Sequence, residues 1–439
     1  MRRCAVLVVC FCLLLGLVAT TGSVAAAKTK LVWQVHWSDF QVEGVYKGEG
    51  ADRKLVSKGL RQYVEEYMKL HPEVEVEIQS VPMEEYLQKV LVARSSGVAP
   101  DIYGIYSLWG VQLVQNGILD APPAAVVKDV HENYTPVSVT GATIDGKIWG
   151  IPMEVGNYCL VYNKDLLKKK GFTAPPKTWK ELVDMASKLT VRDKSGVITQ
   201  YGFAFLAGWE SAVVHPYLGL LWDVGGEFLS PDFKKCVVNS AEGVQALEAE
   251  LQLFKTGGTD PAGSVWTFPQ EKVAMMIMAS WYEQSLRQGL GDKYDKVVGV
   301  APVPYIRKPV NAGYTWFLAV DSASKQKKAA WDLLTWLTAE VQKPKNTTRL
   351  GDLMVETIGS LPCRGIDLAN HPDTLNDLYT KTFVEQLKNA KPEPNVAQGA
   401  EIKTILANEI VEAWHGRKSA KQALDDATNK IDEILAEFY

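Results

Sequence analysis

Two rhythms of apolar residues run along this chain. Residues 74–78 (VEVEI) alternate at every second position and predict a half-exposed strand, and the apolar run in KLVWQVH (30–36) predicts another. Between them, Leu55, Val56, Leu60, Tyr63, Val64, Tyr67 and Met68 recur at helical spacing, so residues 55–70 predict a helix stopped by His71-Pro72. Residues 86–93 predict a helix, 100–105 a short strand, and 111–116 a helix closed by Gly117. Further on, helices are predicted at 179–189 (with Thr178 as N-cap), 215–224, 241–256 and 325–339, and strands at 201–205, 273–278, 297–304 and 316–320. Three helices, 375–389, 401–414 and 418–439, end the chain. Strand and helix alternate throughout, which predicts an α/β fold with a largely parallel sheet.

The segment 144–165, IDGKIWGIPMEVGNYCLVYNKD, breaks this rhythm most sharply. Its Asp145-Gly146-Lys147 turn, the run Ile148 to Pro152, the polar interruption at Glu154, Gly156 and Asn157, and the β-branched run Cys159-Leu160-Val161-Tyr162 predict a turn, a strand crossing between two bodies, a second strand and a helix starting near Asp165. A ligand is expected to be met at the interruption.

Composition narrows the setting. Arg2 and Arg3, the apolar stretch 5–19 and the small residues 23–27 form a secretory signal, with cleavage expected after Ala27 and 412 residues left. The apolar core is too short for a membrane span, and Cys10 and Cys12 lie inside it rather than after it. Cys159, Cys236 and Cys363 remain, too few and too dispersed for a disulfide framework. Without Arg2 and Arg3 the formal net charge moves from −4 to −6, which gives nucleic acid no purchase. Thirteen Trp and seventeen Tyr serve cores first, but they also stack on sugar C–H faces and on cations.

In open α/β sheets ligands meet the loops at the carboxyl ends of strands. That rule nominates His36, Trp37 and Asp39 after the first strand, and Tyr106, Ser107 and Trp109 after the strand at 100–105. It also nominates Glu154, Gly156 and Asn157 at the crossing, Trp209, Glu210 and His215 after 201–205, and Trp281 after 273–278. Gly313, Tyr314 and Trp316 lie in a Gly loop beside an aromatic pair, and Arg364 follows a turn. The carboxylates can equally cap helices or pair on the surface. Trp33, Trp149, Trp179, Trp222, Trp331, Trp336 and Trp414 follow strand or helix periodicity and are expected in the core. His71, His131, His371 and His415 read as turn or surface residues. There is no G-x-S-x-G elbow, H-E-x-x-H helix or P-loop, and no cofactor or metal is expected.

Eight segments in order, among them APDIYGIYSLWG, DGKIWGIPMEVGNYCLVYNKDLL, PPKTWKELVDMASKL, EKVAMMIMASW and SKQKKAAWDLLTWLT, resemble the extracellular solute-binding proteins of ABC importers, the class containing maltose-binding protein. The resemblance covers about residues 31–437. It implies a two-lobed clamshell, each lobe a sheet flanked by helices, with about three crossings, near 148–155, 300–305 and 367–372. The N-terminal lobe is then 28–150 with 306–370, and the C-terminal lobe 151–305 with 371–439. It implies a monomer that binds a mono- or oligosaccharide in the interlobe cleft and delivers it to permease subunits, in the periplasm or at the cell surface. Trp281 matches a sugar-stacking position of the class, whereas Trp109 and Gly156 stand where charged contacts are found. A glycerophosphodiester would need a cationic or N–H-rich pocket, for which only Arg364 and the 44–50 loop are candidates. A polyamine would need more carboxylates around the same aromatics. A secreted carbohydrate-active enzyme is the alternative class.

Overall fold

A computed structural model describes residues 28–371, 375 and 377–438. The signal segment 1–27 lies outside the described residues. The strands that build the core are β1 (Thr29–Val35), β2 (Val74–Ser80), β3 (Ile102–Tyr106), β4 (Ile151–Asn163), β5 (Met275–Ala279), β6 (Val298–Ala301), β7 (Asn311–Val320), β8 (Leu361–Pro362) and β9 (Ala390–Pro392). The longer helices are α1 (Leu60–Leu70), α2 (Met83–Ser95), α3 (Ser107–Gln115), α4 (Ala124–Asn133), α5 (Trp179–Leu189), α6 (Glu210–Asp223), α7 (Ala241–Lys255), α8 (Lys327–Thr338), α9 (Leu378–Gln386), α10 (Gly399–Trp414) and α11 (Ala420–Phe438).

The segment 144–165 resolves into a short hairpin followed by one uninterrupted strand rather than two. Thirteen residues of β4 run from one body to the other. Its first half, up to Asn157, pairs with β7 and β8, and from Tyr158 onward it pairs with β5 and β6. Nearly every β4 residue is buried, because each half is covered on both faces, and the strand therefore carries little alternation. Asn163 ends it by accepting the backbone N–H groups of Asp165 and Leu166, both at 3.0 Å, which starts the next helix. The strand order on the main path is β5-β4-β7-β3-β1-β2. β1 is parallel to β2 and β3, but β4 is antiparallel to all four of its partners, so the sheet is mixed rather than largely parallel.

The second passage between the bodies also differs from expectation. β6 pairs only with the distal half of β4, so residues 300–301 remain with that body. The passage lies in β7: Asn311–Gly313 run parallel to β9, and Gly313 onward pairs with the proximal half of β4 and then with β3. The predicted Gly loop is thus a fully buried strand. Asn311 and Gly313 resemble turn residues, but here both pair with β9, and Gly313 also pairs with Asn157 of β4. Of the expected third crossing at 367–372, residues 367–370 belong to a short helix, Gly365–Asn370, and only position 372 lies outside the described residues.

Three smaller expectations change. Residues 54–57 form a hairpin with Val45–Lys47, and helix α1 starts only at Leu60. Residues 201–205 make only isolated bridges, Tyr201 to Val273 just before β5 and Ala204 to Met276 in β5, and do not form a strand. His371 is buried, with Nε2 2.9 Å from Asp352 Oδ1. Of the tryptophans expected in the core all are buried except Trp149, which is half-buried.

Candidate functional site

A cleft of about 300 Å³ opens where the two bodies face each other across β4. Period-two geometry builds its floor. Trp316 in β7 is directly opposite Tyr106 of β3 on one side and Glu154 of β4 on the other, which places three cleft residues in one row across three strands. Tyr314, two positions before Trp316, shares its face. His36, just past β1, lies flat on Trp316 at 3.8 Å, and Trp316 stacks on Tyr106 at 5.3 Å. The facing wall is three indoles. Trp209, the residue before α6, and Trp266 each lie about one ring away from Trp281, at 6.3 and 6.2 Å. Trp266 is 46% exposed, an unusual cost for so large an apolar side chain unless something covers it.

The polar groups among these rings are few and defined. Glu154 is buried and accepts from Ser360 Oγ at 3.0 Å and Tyr314 OH at 3.4 Å; burial pushes its carboxyl up to about 7 against those two bonds. Burial lowers His36 to about 3, so its ring is neutral at pH 7. His215 on α6 lies almost parallel to the Tyr314 ring at 6.0 Å. Behind it, Lys403 of α10 and Glu393, just past β9, form a buried ion pair that also holds the Tyr106 hydroxyl. Burial works against the Glu393 charge, but the Lys403 ammonium holds its carboxyl down at about 2. No Lys or Arg lines the cleft among the described residues.

Comparison with known proteins places this architecture. Residues 52–344 match the family described as bacterial extracellular solute-binding protein. The chain belongs to that family. This solute-binding protein is 25% identical to the galactooligosaccharide-binding protein of Bacillus subtilis (strain 168), over 97% of this chain and 96% of that one. It is 26% identical to the maltodextrin-binding protein MdxE of the same organism, over 84% and 85%. Among solved structures, the GacH receptor of Streptomyces glaucescens, described unliganded and with acarbose, superposes with a TM-score of 0.79 at 20% identity over 94% of this chain and 100% of that one. That likeness shows the fold: two α/β lobes around a cleft.

Nine of the residues nominated from the sequence of this solute-binding protein line the cleft: His36, Trp37, Tyr106, Glu154, Trp209, His215, Trp281, Tyr314 and Trp316. Trp109 and Glu210 line an adjoining groove that Met83, Glu84 and Trp209 connect to the cleft. The other six lie elsewhere, each for a local reason. Asp39 is exposed at the start of a short helix on a separate groove. Ser107 is buried in the first turn of α3. Gly156 is covered by the Tyr314 ring. Asn157 is fully buried and donates to the Phe383 carbonyl at 3.1 Å, tying β4 to α9. Gly313 pairs with Asn157 and Pro392 inside the sheet. Arg364 is held by both Asp129 oxygens at 2.6 and 2.8 Å, with the Tyr134 ring beneath it, so its guanidinium serves the lobe and not the cleft.

Sequence reasoning missed Gln41, Met83, Glu84, Tyr158, Ser211, Trp266, Ile358 and Ser360 in the lining. Ser211 and Tyr158 neighbour nominated residues and were within reach of the same rule. Trp266 and Ser360 come from irregular segments with no periodic signal. One cluster, Asp352, Glu356 and His371, has the composition of a cation site, but the Lys345 ammonium already supplies the charge, 3.2 Å from Asp352 and 2.7 Å from Glu356.

Proposed function

We propose that this solute-binding protein captures a carbohydrate, an oligosaccharide in particular, between the two aromatic walls and delivers it unaltered to the membrane subunits of an ABC importer. The observation that carries this is the lining itself: stacked rings on both lobes, hydroxyl, amide and carboxyl groups between them, and no Lys or Arg among the described residues. Aromatic faces cover sugar C–H surfaces while carboxyl and hydroxyl groups pair with vicinal hydroxyls. A phosphodiester finds no counter-charge, because Arg364 is engaged by Asp129. The relatives named for galactooligosaccharide and maltodextrin binding support the same ligand class.

The ligand touches both lobes and so binds the closed form better than the open one, which shifts the equilibrium towards the form that docks on the permease. The lobe boundaries fall inside β4, after Asn157, and inside β7, near Gly313, and these strand exchanges act as the pivot. The mature chain works as a monomer in the periplasm or at the cell surface. Among the described residues no helix is long and apolar enough to cross a membrane.

A thermal-shift screen of neutral oligosaccharides, polyamines and glycerophosphodiesters tests the proposal, with each stabilising sugar recovered and analysed. Stabilisation by a sugar that comes back intact is expected. Turnover of that sugar would instead favour a carbohydrate-active enzyme, and stabilisation by phosphodiesters or polyamines alone would remove the carbohydrate.

A further inference from the structure

The buried cluster behind the cleft wall has a direction. Lys403 and His215 are 1% and 2% exposed. The Lys403 ammonium has three protons and, among its neighbours, three close acceptors: a Glu393 oxygen, Ser211 Oγ at 2.9 Å and His215 Nε2 at 2.8 Å. An ammonium has no lone pair, so a proton on His215 Nε2 would point at another donor. Two other groups lie farther from that nitrogen: the Glu393 oxygen at 3.2 Å, which Lys403 engages more closely, and the Tyr106 hydroxyl at 3.3 Å, which donates to Glu393 and accepts from Lys403. The ammonium is the nearest partner of Nε2, and Nε2 is assigned as its acceptor. Burial and the neighbouring ammonium lower the imidazole to about 4, so the ring is neutral at pH 7 and its single proton resides on Nδ1.

Nδ1 lies 2.8 Å from the Tyr158 hydroxyl. Its N–H donates, the Tyr158 oxygen accepts, and the phenolic proton is left without a protein acceptor among the described residues. Tyr158 lines the cleft, the first β4 residue past the exchange between the lobes.

Building on the carbohydrate assignment above, we propose that Tyr158 is an obligate hydrogen-bond donor to the captured sugar, its direction set by Lys403 through His215. The ligand atom beside Tyr158 must then be an acceptor: a ring oxygen, a glycosidic oxygen or a hydroxyl oxygen. A protonated amine at that position offers only donors and is refused. Tyr158 is the specificity-determining group; Lys403 and His215 are positioning residues.

Long-range proton–nitrogen NMR of histidine-labelled protein at pH 7 reads the tautomer without any ligand. His215 is expected to carry its proton on Nδ1, and Lys403→Met is expected to move it to Nε2, facing Glu393. A proton on Nε2 in the unmutated protein would overturn the relay. Tyr158→Phe, which removes one oxygen from a buried cleft-lining ring, is expected to bind the best sugar of the screen roughly tenfold more weakly; unchanged affinity would overturn the donor role. If Lys403→Met does not fold, the unmutated tautomer and Tyr158→Phe decide. If no sugar binds the unmutated protein, the carbohydrate assignment fails, and the tautomer still decides the relay on its own.

Discussion

Gly156 and Tyr314 are directly opposite each other in the β4–β7 pair, and the Tyr314 ring fills the space that a Cβ at position 156 would need. The space that a β4 side chain would occupy is filled by an aromatic ring from β7. This arrangement also puts an aromatic face in the cleft at the point where the chain changes lobes.

Gly156→Ala should therefore displace Tyr314 and destabilise the fold by about 1–3 kcal/mol, the usual scale of overpacking. Urea unfolding measures this directly. An unaltered midpoint would mean that the ring has room to move.

Glu154 makes stability depend on pH in a defined direction. Its folded carboxyl is pushed up to about 7 from an ordinary 4.5, so between these values the folded chain holds more protons than the unfolded one. Stability from this group is fully present below about pH 4.5 and is lost as pH rises towards 7, by roughly 3 kcal/mol at most. Glu250 and Glu283 are raised to about 8 and 7 and act in the same direction, so the comparison must be with Glu154→Gln. That variant should gain on the unmutated protein between pH 5 and pH 8 in parallel unfolding curves; a constant gap would contradict the role given to Glu154.

Lys403→Met leaves Glu393 charged and buried without its partner, which is expected to cost about 3–5 kcal/mol. Adding Glu393→Gln removes the stranded charge and should recover much of that loss. Calorimetric melting of the single and double variants checks it. A double variant no more stable than the single would show that the charge is not the source of the damage.

Much of this site was legible because its residues obey local rules. Tyr106 is the last residue of β3, Trp37 and Trp281 lie just past the carboxyl ends of β1 and β5, and Thr178 announced its helix as an N-cap. What stayed hidden depends on packing between distant segments. Asn311 and Gly313 look like a turn until β4 and β9 close around them. Gly156 and Asn157 looked like ligand contacts because they interrupt an apolar run, yet the Tyr314 ring and the Phe383 carbonyl account for them. Glu393 and Lys403 reach the site from the C-terminal segments, at a separation from His215 that no spacing rule covers. Arg364 was nominated on its charge, and only the position of Asp129 shows where that charge is spent.

Closure of the lobes should be visible in solution. X-ray scattering with and without a saturating sugar is expected to show a smaller radius of gyration in the bound form. Equal radii at saturation would argue that the ligand binds without moving the lobes.

The most direct measurement is a tryptophan-fluorescence titration with neutral oligosaccharides, run on the unmutated protein and on Trp281→Ala. At least one sugar should change the emission saturably, and the substitution should weaken that binding by about 1–3 kcal/mol, the weight of a lost aromatic contact and its burial. A sugar that binds both proteins equally would remove Trp281 from the site. A protein that responds to no sugar, but to a polyamine or a phosphodiester, would contradict carbohydrate capture in the aromatic cleft.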